Sequence, residues 1–300
     1  MVRAPHEIKA TLLALGARPE KAFGQNFLID ATVLSSVVTT AELGPRQCVL
    51  EIGPGLGVLT EDLLATGASV YAIERDRKFI DHLLTQFGRK GQSFFLSQGD
   101  AALLNWNALL PTDIAWKLVS NLPYAISSFA LRTALWSTHP ASRVVVMLQR
   151  EVAERALALL APNSDSGQAS LLSLMVALSC SSGKIIRRVA PGSFFPPPKV
   201  ESALLLLVPM VPAARLIRWG VDPEQVMRLA KQGFAHPRKQ LFSTLGVRER
   251  AVELAEALQV TKEVRPEALS ADQWAALTRL LSPSLSASVD NGDKSTDRSA

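Results

Sequence analysis

The sequence predicts an α/β fold in which a doubly wound, mostly parallel sheet is followed by a small all-helical domain. Between residues 47 and 148, short apolar segments of strand length alternate with segments of helical periodicity, which is typical of such a sheet. A glycine-rich turn directly follows the first apolar segment. After Pro209 and Pro212 the strand signal ends and only helical segments follow, so a domain boundary is expected near residue 210.

The elements can be placed in chain order. Apolar runs that stop at glycine or polar residues suit buried parallel strands; they are predicted at 48–52, 69–73, 94–96, 116–120 and 143–148, with a later strand at 200–208. Helical periodicity predicts helices at 58–65, 76–87, 129–136, 151–160, 223–234, 248–258 and 271–281. The chain therefore divides into an N-terminal extension (1–20), a sheet domain (21–210), a helical domain (211–281) and a Ser-, Asp- and Asn-rich tail (282–300) that is expected to be disordered.

Composition excludes several classes of protein. The 300 residues are 48% hydrophobic and 20% charged, which suits a globular protein with a core rather than a disordered chain. No apolar run approaches the roughly 18 residues of a membrane span, and the N-terminus lacks the apolar segment of a signal peptide. Two cysteines and four scattered histidines give no disulfide framework and no metal site. A cytoplasmic, monomeric protein is expected.

The charge is unevenly distributed. The formal net charge is +5, and residues 184–250 contain twelve Lys and Arg against four Asp and Glu. A basic segment of this kind indicates a polyanionic partner such as nucleic acid, with a solvated basic face as the alternative.

Three candidate ligand groups follow successive predicted strands. The segment 53–57 reads Gly-Pro-Gly-Leu-Gly, and such glycines allow close approach of backbone to a ligand, although a tight turn alone would also use them. Glu74 ends the second strand, where a carboxylate can accept hydrogen bonds from the ribose hydroxyls of either NAD or S-adenosylmethionine. Asp100 follows the third strand and can accept an adenine amine; an ordinary Gly-Asp turn is the alternative.

The segment Asn121-Leu122-Pro123-Tyr124 follows the fourth strand. An exocyclic aromatic amine is a poor nucleophile because its lone pair is delocalised into the ring. A carboxamide oxygen and a backbone carbonyl that accept both of its hydrogens free the lone pair for attack on a methyl sulfonium. Pro123 restricts the backbone, and Tyr124 offers a stacking face for an extruded base.

The chain resembles the ribosomal RNA adenine N6,N6-dimethyltransferase family of the KsgA type, within the Rossmann-like class I S-adenosylmethionine-dependent methyltransferases. The resemblance runs from about Phe23 to Leu281. Besides the segments above, it rests on Phe23-Gly24-Gln25-Asn26-Phe27-Leu28, Gln149-Arg150-Glu151-Val152-Ala153-Glu154-Arg155, Phe194-Phe195-Pro196-Pro197-Pro198-Lys199-Val200-Glu201-Ser202 and Arg265-Pro266-Glu267-Ala268-Leu269-Ser270.

The resemblance implies a role for each site residue. Asn26 and Leu28 contact S-adenosylmethionine; Gly53 lies near its methionine part, Glu74 holds its ribose, Asp100 its adenine, and Asn121 sits beside the methyl group. Asn121, Leu122, Pro123 and Tyr124 are the catalytic segment. Phe194, with Phe195 as the alternative, stacks the target adenine opposite Tyr124.

Contacts to RNA are expected from basic residues of the second half: Lys184, Arg187, Arg188, Lys199, Arg238 and Lys239. The chain departs from the family pattern at Ser166-Gly167-Gln168-Ala169-Ser170 and at Pro237-Arg238-Lys239-Gln240-Leu241-Phe242-Ser243, where three expected basic side chains are missing. Affinity for RNA, or its salt dependence, is expected to differ accordingly.

The activity that the resemblance implies is dimethylation of N6 on two adjacent adenines in a hairpin near the 3′ end of small-subunit (16S) rRNA, within a precursor of the small ribosomal subunit. Three alternatives remain: a large-subunit (23S) rRNA adenine methyltransferase, a non-catalytic ribosome-assembly factor, and a nicotinamide dehydrogenase. The dehydrogenase would require the longer G-x-G-x-x-G spacing and leaves the segment from Asn121 to Tyr124 unexplained.

Overall fold

A computed structural model describes residues 4–17, 26–88, 93–160, 169–236 and 238–287. Its strands are β1 (Phe27–Leu28), β2 (Cys48–Ile52), β3 (Ser69–Glu74), β4 (Phe94–Gln98), β5 (Trp116–Asn121), β6 (Arg143–Gln149), β7 (Cys180–Val189), β8 (Phe194–Phe195) and β9 (Ser202–Pro209). Its helices are α1 (Pro5–Ala14), α2 (Ala31–Ala41), α3 (Val58–Ala65), α4 (Arg77–Phe87), α5 (Trp106–Leu109), α6 (Ser127–Trp136), α7 (Arg150–Leu157), α8 (Leu171–Ser179), α9 (Pro212–Trp219), α10 (Pro223–Gly233), α11 (Leu241–Thr244), α12 (Ala251–Leu258) and α13 (Ala271–Ala287).

Seven strands form the main sheet in the order β4-β3-β2-β5-β6-β9-β7. The first five run parallel, whereas β9 is antiparallel to β6 and to β7. The α/β class and the doubly wound arrangement are therefore confirmed. The chain order reverses between β2 and β5, and a crevice at such a reversal is where open α/β sheets bind ligands.

Helices cover both faces of the sheet. Successive side chains of a strand point to opposite sides, so both sets become buried. In β2, Val49 joins the core on the face of α2, α3 and α4, and Leu50 joins the core on the face of α6 and α7. Both side chains are fully buried. This explains the continuous apolar strands in the sequence.

A third core belongs to the helices that follow β9. It contains Trp219, Phe242 and Trp274, and it also includes Leu174 and Leu178 from one face of α8. The opposite face of α8 contributes to the core beneath the sheet, through Met175 and Val176. This helix therefore joins the two parts of the molecule.

Several elements differ from those expected. Residues 171–189, where no element is expected, form α8 and the edge strand β7. The apolar run over 171–180 has neither a helical nor an alternating pattern, so periodicity does not reveal them. The last helix continues to Ala287, past the expected end at Leu281. Among the described residues, no helix is long and apolar enough to cross a membrane, and no group of three or more His, Cys, Asp and Glu could bind a metal.

Candidate active site

One cleft opens at the carboxyl ends of the parallel strands, beside the reversal between β2 and β5. Its walls are the loops after β2, β3, β4 and β5, together with β1. The site residues that the sequence analysis places around the cofactor all line this cleft: Asn26, Leu28, Gly53, Glu74, Asp100 and Asn121, with Leu122, Pro123 and Tyr124 beside them.

The glycine loop is held close to the other walls. Gly53, Gly55 and Gly57 all have positive φ angles, from 57° to 78°, which favour glycine. A Cβ atom added to Gly53 would lie 3.3 Å from Cγ of Pro123, and one added to Gly55 would lie 2.9 Å from the Phe27 ring. The absence of side chains therefore allows the loop to touch both the catalytic segment and β1.

Glu74 organises the backbone at the middle of the cleft. One carboxylate oxygen accepts the N–H groups of Arg75 (2.8 Å) and Asp76 (2.9 Å), and the other accepts the N–H of Gly55 (3.1 Å). A carboxylate offers about four acceptor positions, so three are used and one remains on the oxygen that faces the glycine loop. Burial raises the pKa of Glu74 above its usual range, although these three hydrogen bonds oppose the shift.

Glu51 is a second buried carboxylate in the cleft, and the sequence analysis did not select it. Its side chain is 2% exposed and accepts a hydrogen bond from the Thr60 hydroxyl at 2.6 Å. Burial, with the nearby charge of Glu74, raises its pKa to about 8. A charged residue inside the otherwise apolar strand Cys48–Ile52 was the signal that could have identified it.

Asp100 stands at the far end of the cleft. One oxygen accepts the Ala102 N–H at 2.9 Å, and the other lies 3.5 Å from the Arg75 guanidinium. The backbone N–H of Gly99 donates to the carbonyl of Glu74 at 2.8 Å. This bond ties the loop after β4 to the end of β3, next to Glu74.

Asn121 ends β5 with its side chain oriented by a distant part of the chain. The carboxamide nitrogen donates to the backbone carbonyl of Asn26 at 2.8 Å. The assigned orientation therefore leaves the carboxamide oxygen as the acceptor available to a ligand. The carbonyl of Pro123 accepts the N–H of Ile126 at 3.1 Å, which leaves the carbonyl of Leu122 as the less committed acceptor of the segment.

Tyr124 is held by its hydroxyl group. The hydroxyl forms a 2.7 Å hydrogen bond with Oγ of Ser202, a fully buried residue at the start of β9. Burial raises the pKa of Tyr124, and the bond to Ser202 partly offsets that shift. The phenol therefore remains neutral near pH 7, with its ring directed along the cleft wall.

Phe194 does not take the predicted stacking position in this structure. Its ring is 2% exposed and packs in the core on the α2 side of the sheet. The reason is the pairing of β1 with β8, which sets Phe194 opposite Leu28 and Phe195 opposite Phe27. Phe195 is only partly buried, with the Lys9 ammonium 5.5 Å from its ring centre. Of the two candidate rings, Phe195 is the one with accessible surface.

The predicted basic residues lie in four places. Residues opposite each other in an antiparallel pair share a face; Lys184 and Arg187 lie opposite Leu206 and Leu204, whereas Arg188 lies opposite Ala203. Arg187 and Arg188 are consecutive and therefore point to opposite faces: Arg187 donates to Ser36 on α2 (3.2 Å), and Arg188 lies 3.6 Å from Glu154 on α7. A register shift after Ile185 places Arg187 on the same face as Lys184, where regular alternation would have placed Arg188.

The other basic residues lie outside the sheet. Lys199 is exposed between β8 and β9, and Arg238 and Lys239 are exposed beside α10. Phe23, Gly24, Gln25, Ser166, Gly167, Gln168 and Pro237, which the sequence analysis also quotes, lie outside the described residues.

Comparisons with known proteins agree with this geometry. Residues 16–282 match the family described as ribosomal RNA adenine dimethylase. The chain is 37% identical to the ribosomal RNA small subunit methyltransferase A of Syntrophotalea carbinolica, over 89% of this chain and 98% of the relative. It is 38% identical to the protein of the same name from Pseudomonas fluorescens, over 88% of this chain and 93% of the relative.

Solved structures support the fold. A dimethyladenosine transferase from Plasmodium falciparum superimposes with a TM-score of 0.69 at 24% identity, covering 86% of this chain and 98% of that one. The 23S rRNA methyltransferase ErmE superimposes with a TM-score of 0.65 at 23% identity, covering 86% of this chain and all of that one. Because the family match spans nearly all of the described residues and the relatives exceed 30% identity over their length, the chain belongs to the ribosomal RNA adenine dimethylase family.

Proposed function

We propose that the protein transfers methyl groups from S-adenosylmethionine to N6 of two adjacent adenines in a hairpin near the 3′ end of 16S rRNA. The observation that carries this proposal is the Asn121 carboxamide, whose nitrogen is bonded to the Asn26 carbonyl and whose oxygen is left for a ligand. The relatives at 37% and 38% identity are named for the small subunit, and this favours it over the large subunit as the substrate.

The cleft fits a donor built on adenosine. Glu74 has one acceptor position left for a ribose hydroxyl, and Asp100 can accept an exocyclic amine at the far end. Gly53 and Gly55 bring the backbone of the glycine loop into the wall of the cleft, where it can approach a ligand closely. Leu28 and Asn26 form the wall from the N-terminal side. S-adenosylmethionine supplies, when bound, an electrophilic methyl group on a sulfonium.

Asn121 at the end of β5 and Leu122 directly after it activate the amine by accepting its hydrogen bonds. The Asn121 oxygen and the Leu122 carbonyl accept the two N6 hydrogens of a flipped adenine, which draws the nitrogen toward tetrahedral geometry and frees its lone pair. Catalysis then depends mainly on orientation and exclusion of water. No strong base is required, because the methylated amine becomes acidic and loses its proton readily.

The target base stacks on Tyr124, whose ring is held by Ser202. We propose Phe195 rather than Phe194 as the second stacking ring, because only Phe195 has accessible surface. Extrusion of the base costs a few kcal/mol, which stacking between two rings offsets.

The two domains have different roles in this proposal. The sheet domain (21–210) holds the cofactor, and the helical domain (211–281) contacts rRNA together with the basic residues named above. The partner is a precursor of the small subunit, and the protein acts as a cytoplasmic monomer.

The test is methyl transfer from labelled S-adenosylmethionine to small subunits that lack the adenine modification, with naked rRNA and large-subunit RNA alongside. The products are digested and compared with N6-methyl- and N6,N6-dimethyladenosine. We expect dimethyladenosine only in small-subunit RNA. Label confined to large-subunit RNA would replace the proposed substrate, and ribosome binding without any methylated product would make the protein an assembly factor.

A further inference from the structure

A second cavity lies between the sheet domain and the last helices. Its volume is about 500 Å³, within the range of small-ligand sites. Ser128 at the start of α6 lines it from one side and Phe234 at the end of α10 from the other. Nothing in the methyl-transfer chemistry above uses this cavity.

The cavity adjoins the catalytic cleft. Ala125 and Ile126 line the cleft, and Ser128 lines the second cavity. Residues four apart at a helix start are neighbours, so Ser128 lies within one turn of Tyr124. A strand of RNA whose base enters the cleft beside Tyr124 therefore has its next nucleotide close to the second cavity.

Three arginines contribute positive charge to the lining of the cavity. Arg155, Arg238 and Arg265 line it. Arg155 is paired with Glu151, but Arg238 and Arg265 form no salt bridge within the described part of the chain. Guanidinium groups suit a phosphate, which they can contact through paired N–H donors, and Arg238 and Arg265 are the two in the lining without a carboxylate partner among the described residues.

Glu267 adds an acidic side chain to the lining of the cavity. Its Oε2 atom is buried and has no hydrogen-bond partner, although the side chain lines the same space as the arginines. An unpaired buried carboxylate oxygen is costly, and rotation of this carboxyl group toward the cavity would let a ligand supply the missing donor. A carboxylate accepts the exocyclic amine of a base, and the Phe234 ring, which stacks on Trp274 at 5.8 Å, offers an aromatic surface beside it.

We propose that this cavity is a second nucleotide site, which holds a nucleotide flanking the pair of target adenines. The arginines bind its phosphate, Phe234 packs against its base, and Glu267 accepts the exocyclic amine of an adenine, guanine or cytosine. The proposal rests on the function proposed above and extends it from the target base to its neighbour.

The proposed contact between the arginines and a phosphate is tested by the salt dependence of RNA binding. The full chain is titrated with an RNA hairpin that carries the two adenines, at a series of NaCl concentrations, and binding is followed by fluorescence anisotropy. Arg238→Ala and Arg265→Ala are each expected to lower the slope of log K against log salt by about 0.7. Arg248→Ala removes an exposed arginine outside the cavity and should leave the slope unchanged. Equal slopes for all four proteins would overturn the phosphate assignment.

The base part is tested with altered hairpins. The nucleotide on each side of the adenine pair is replaced in turn by adenosine or by purine riboside, which lacks the exocyclic amine. At one of the two positions the wild-type chain should bind the adenosine hairpin about tenfold more tightly. Glu267→Ala should bind both hairpins equally, whereas Glu263→Ala, which removes an exposed carboxylate, should keep the preference.

The outcomes separate this proposal from the general function. Binding of S-adenosylmethionine by each variant reports whether it is folded. A wild-type chain that methylates adenine N6 but shows no preference between the hairpins, or an alanine variant of Glu267 that retains it, rejects the second site alone. A wild-type chain that transfers no methyl group rejects the proposed function whatever the hairpin titrations give.

Discussion

Asn121 is the residue on which the chemistry depends most directly. Asn121→Ala removes the acceptor for N6 while leaving the carboxylates that face the cofactor in place. We expect kcat to fall by at least about 10²-fold, the loss seen when one preorganised hydrogen-bonding group is removed from an active site. Binding of S-adenosylmethionine, measured by calorimetry, should change little. Turnover near that of the wild type would show that the assigned role is wrong.

We expect Ser202 to affect the reaction through Tyr124, since their hydroxyl groups are 2.7 Å apart. Ser202→Ala and Tyr124→Phe should each lower kcat about 3- to 10-fold, the equivalent of one hydrogen bond. The double variant should lose no more than either single one, because both remove the same interaction. Additive losses would show that Ser202 does not position the ring.

The raised pKa of Glu51 predicts that the stability of the folded protein depends on pH. This pKa is about 8 in the folded protein against 4.5 for the free side chain, so the folded state binds the proton more tightly. The resulting stability is fully present below pH 4.5 and is lost as the pH rises toward about 8. The melting temperature of the ligand-free protein should therefore fall over this range.

Glu51→Gln keeps an acceptor for the Thr60 hydroxyl and removes the ionisation. The fall in melting temperature should become shallower, with a residual slope from Glu74, whose pKa is also raised. Glu61→Gln on α3 is the matched control and should keep the wild-type slope. An unchanged slope in Glu51→Gln would show that this carboxyl group is already ionised at neutral pH.

Among the elements, the turn from β2 into α3 is the one that depends most on glycine. Gly57 has φ of 78°, and a Cβ atom there would lie 2.5 Å from the Phe87 ring. Gly57→Ala should lower the free energy of unfolding by about 2 kcal/mol, from backbone strain and the clash together. Gly44→Ala, where nothing lies within 4 Å, should change it by less than about 0.5 kcal/mol; urea unfolding measures both.

Sequence patterns predicted the parallel strands because each is a short apolar run with polar residues at its end. The helix 58–65 and the strand 48–52 agree with the structure at both ends. The pattern did not reveal α2, whose apolar residues are mixed with threonine and serine, or the edge strand β7, whose outward side chains are basic. Both segments have weak periodicity, and long-range contacts stabilise them: α2 packs against the sheet, and β7 pairs with β9.

At the scale of the whole molecule, Arg215 connects the sheet domain to the final helices. Its guanidinium donates to the carbonyls of Leu135 (2.7 Å) and Met210 (2.9 Å), and the side chain is 7% exposed. Arg215→Met leaves both carbonyls unpaired and should lower the free energy of unfolding by about 1–3 kcal/mol.

The control for Arg215 is its neighbour on the same helix. Arg218 is exposed and lies 3.6 Å from Asp272, and such surface pairs contribute less than about 1 kcal/mol. Arg218→Met should therefore stay close to the wild type in thermal unfolding. Equal losses in the two variants would mean that the buried guanidinium has no special part in joining the domains.

The sequence by itself determined the α/β class, the order of the parallel strands along the chain and the polar residues that line the cleft. These features are local: a strand, the polar residue at its end and the glycines after it are adjacent in the chain. Because parallel strands place their carboxyl ends at one edge of a sheet, Glu74, Asp100 and Asn121 had to meet in one cleft.

Only the tertiary structure decided which way side chains face. The pairing of β1 with β8 buries Phe194, and a register shift in β7 places Arg187 on the same face as Lys184. The Asn121 carboxamide is oriented by a carbonyl 95 residues away. The physical reason is that side chains alternate across a strand, so a shift of one residue in a long-range pairing reverses the face, and nothing in the neighbouring sequence specifies that shift.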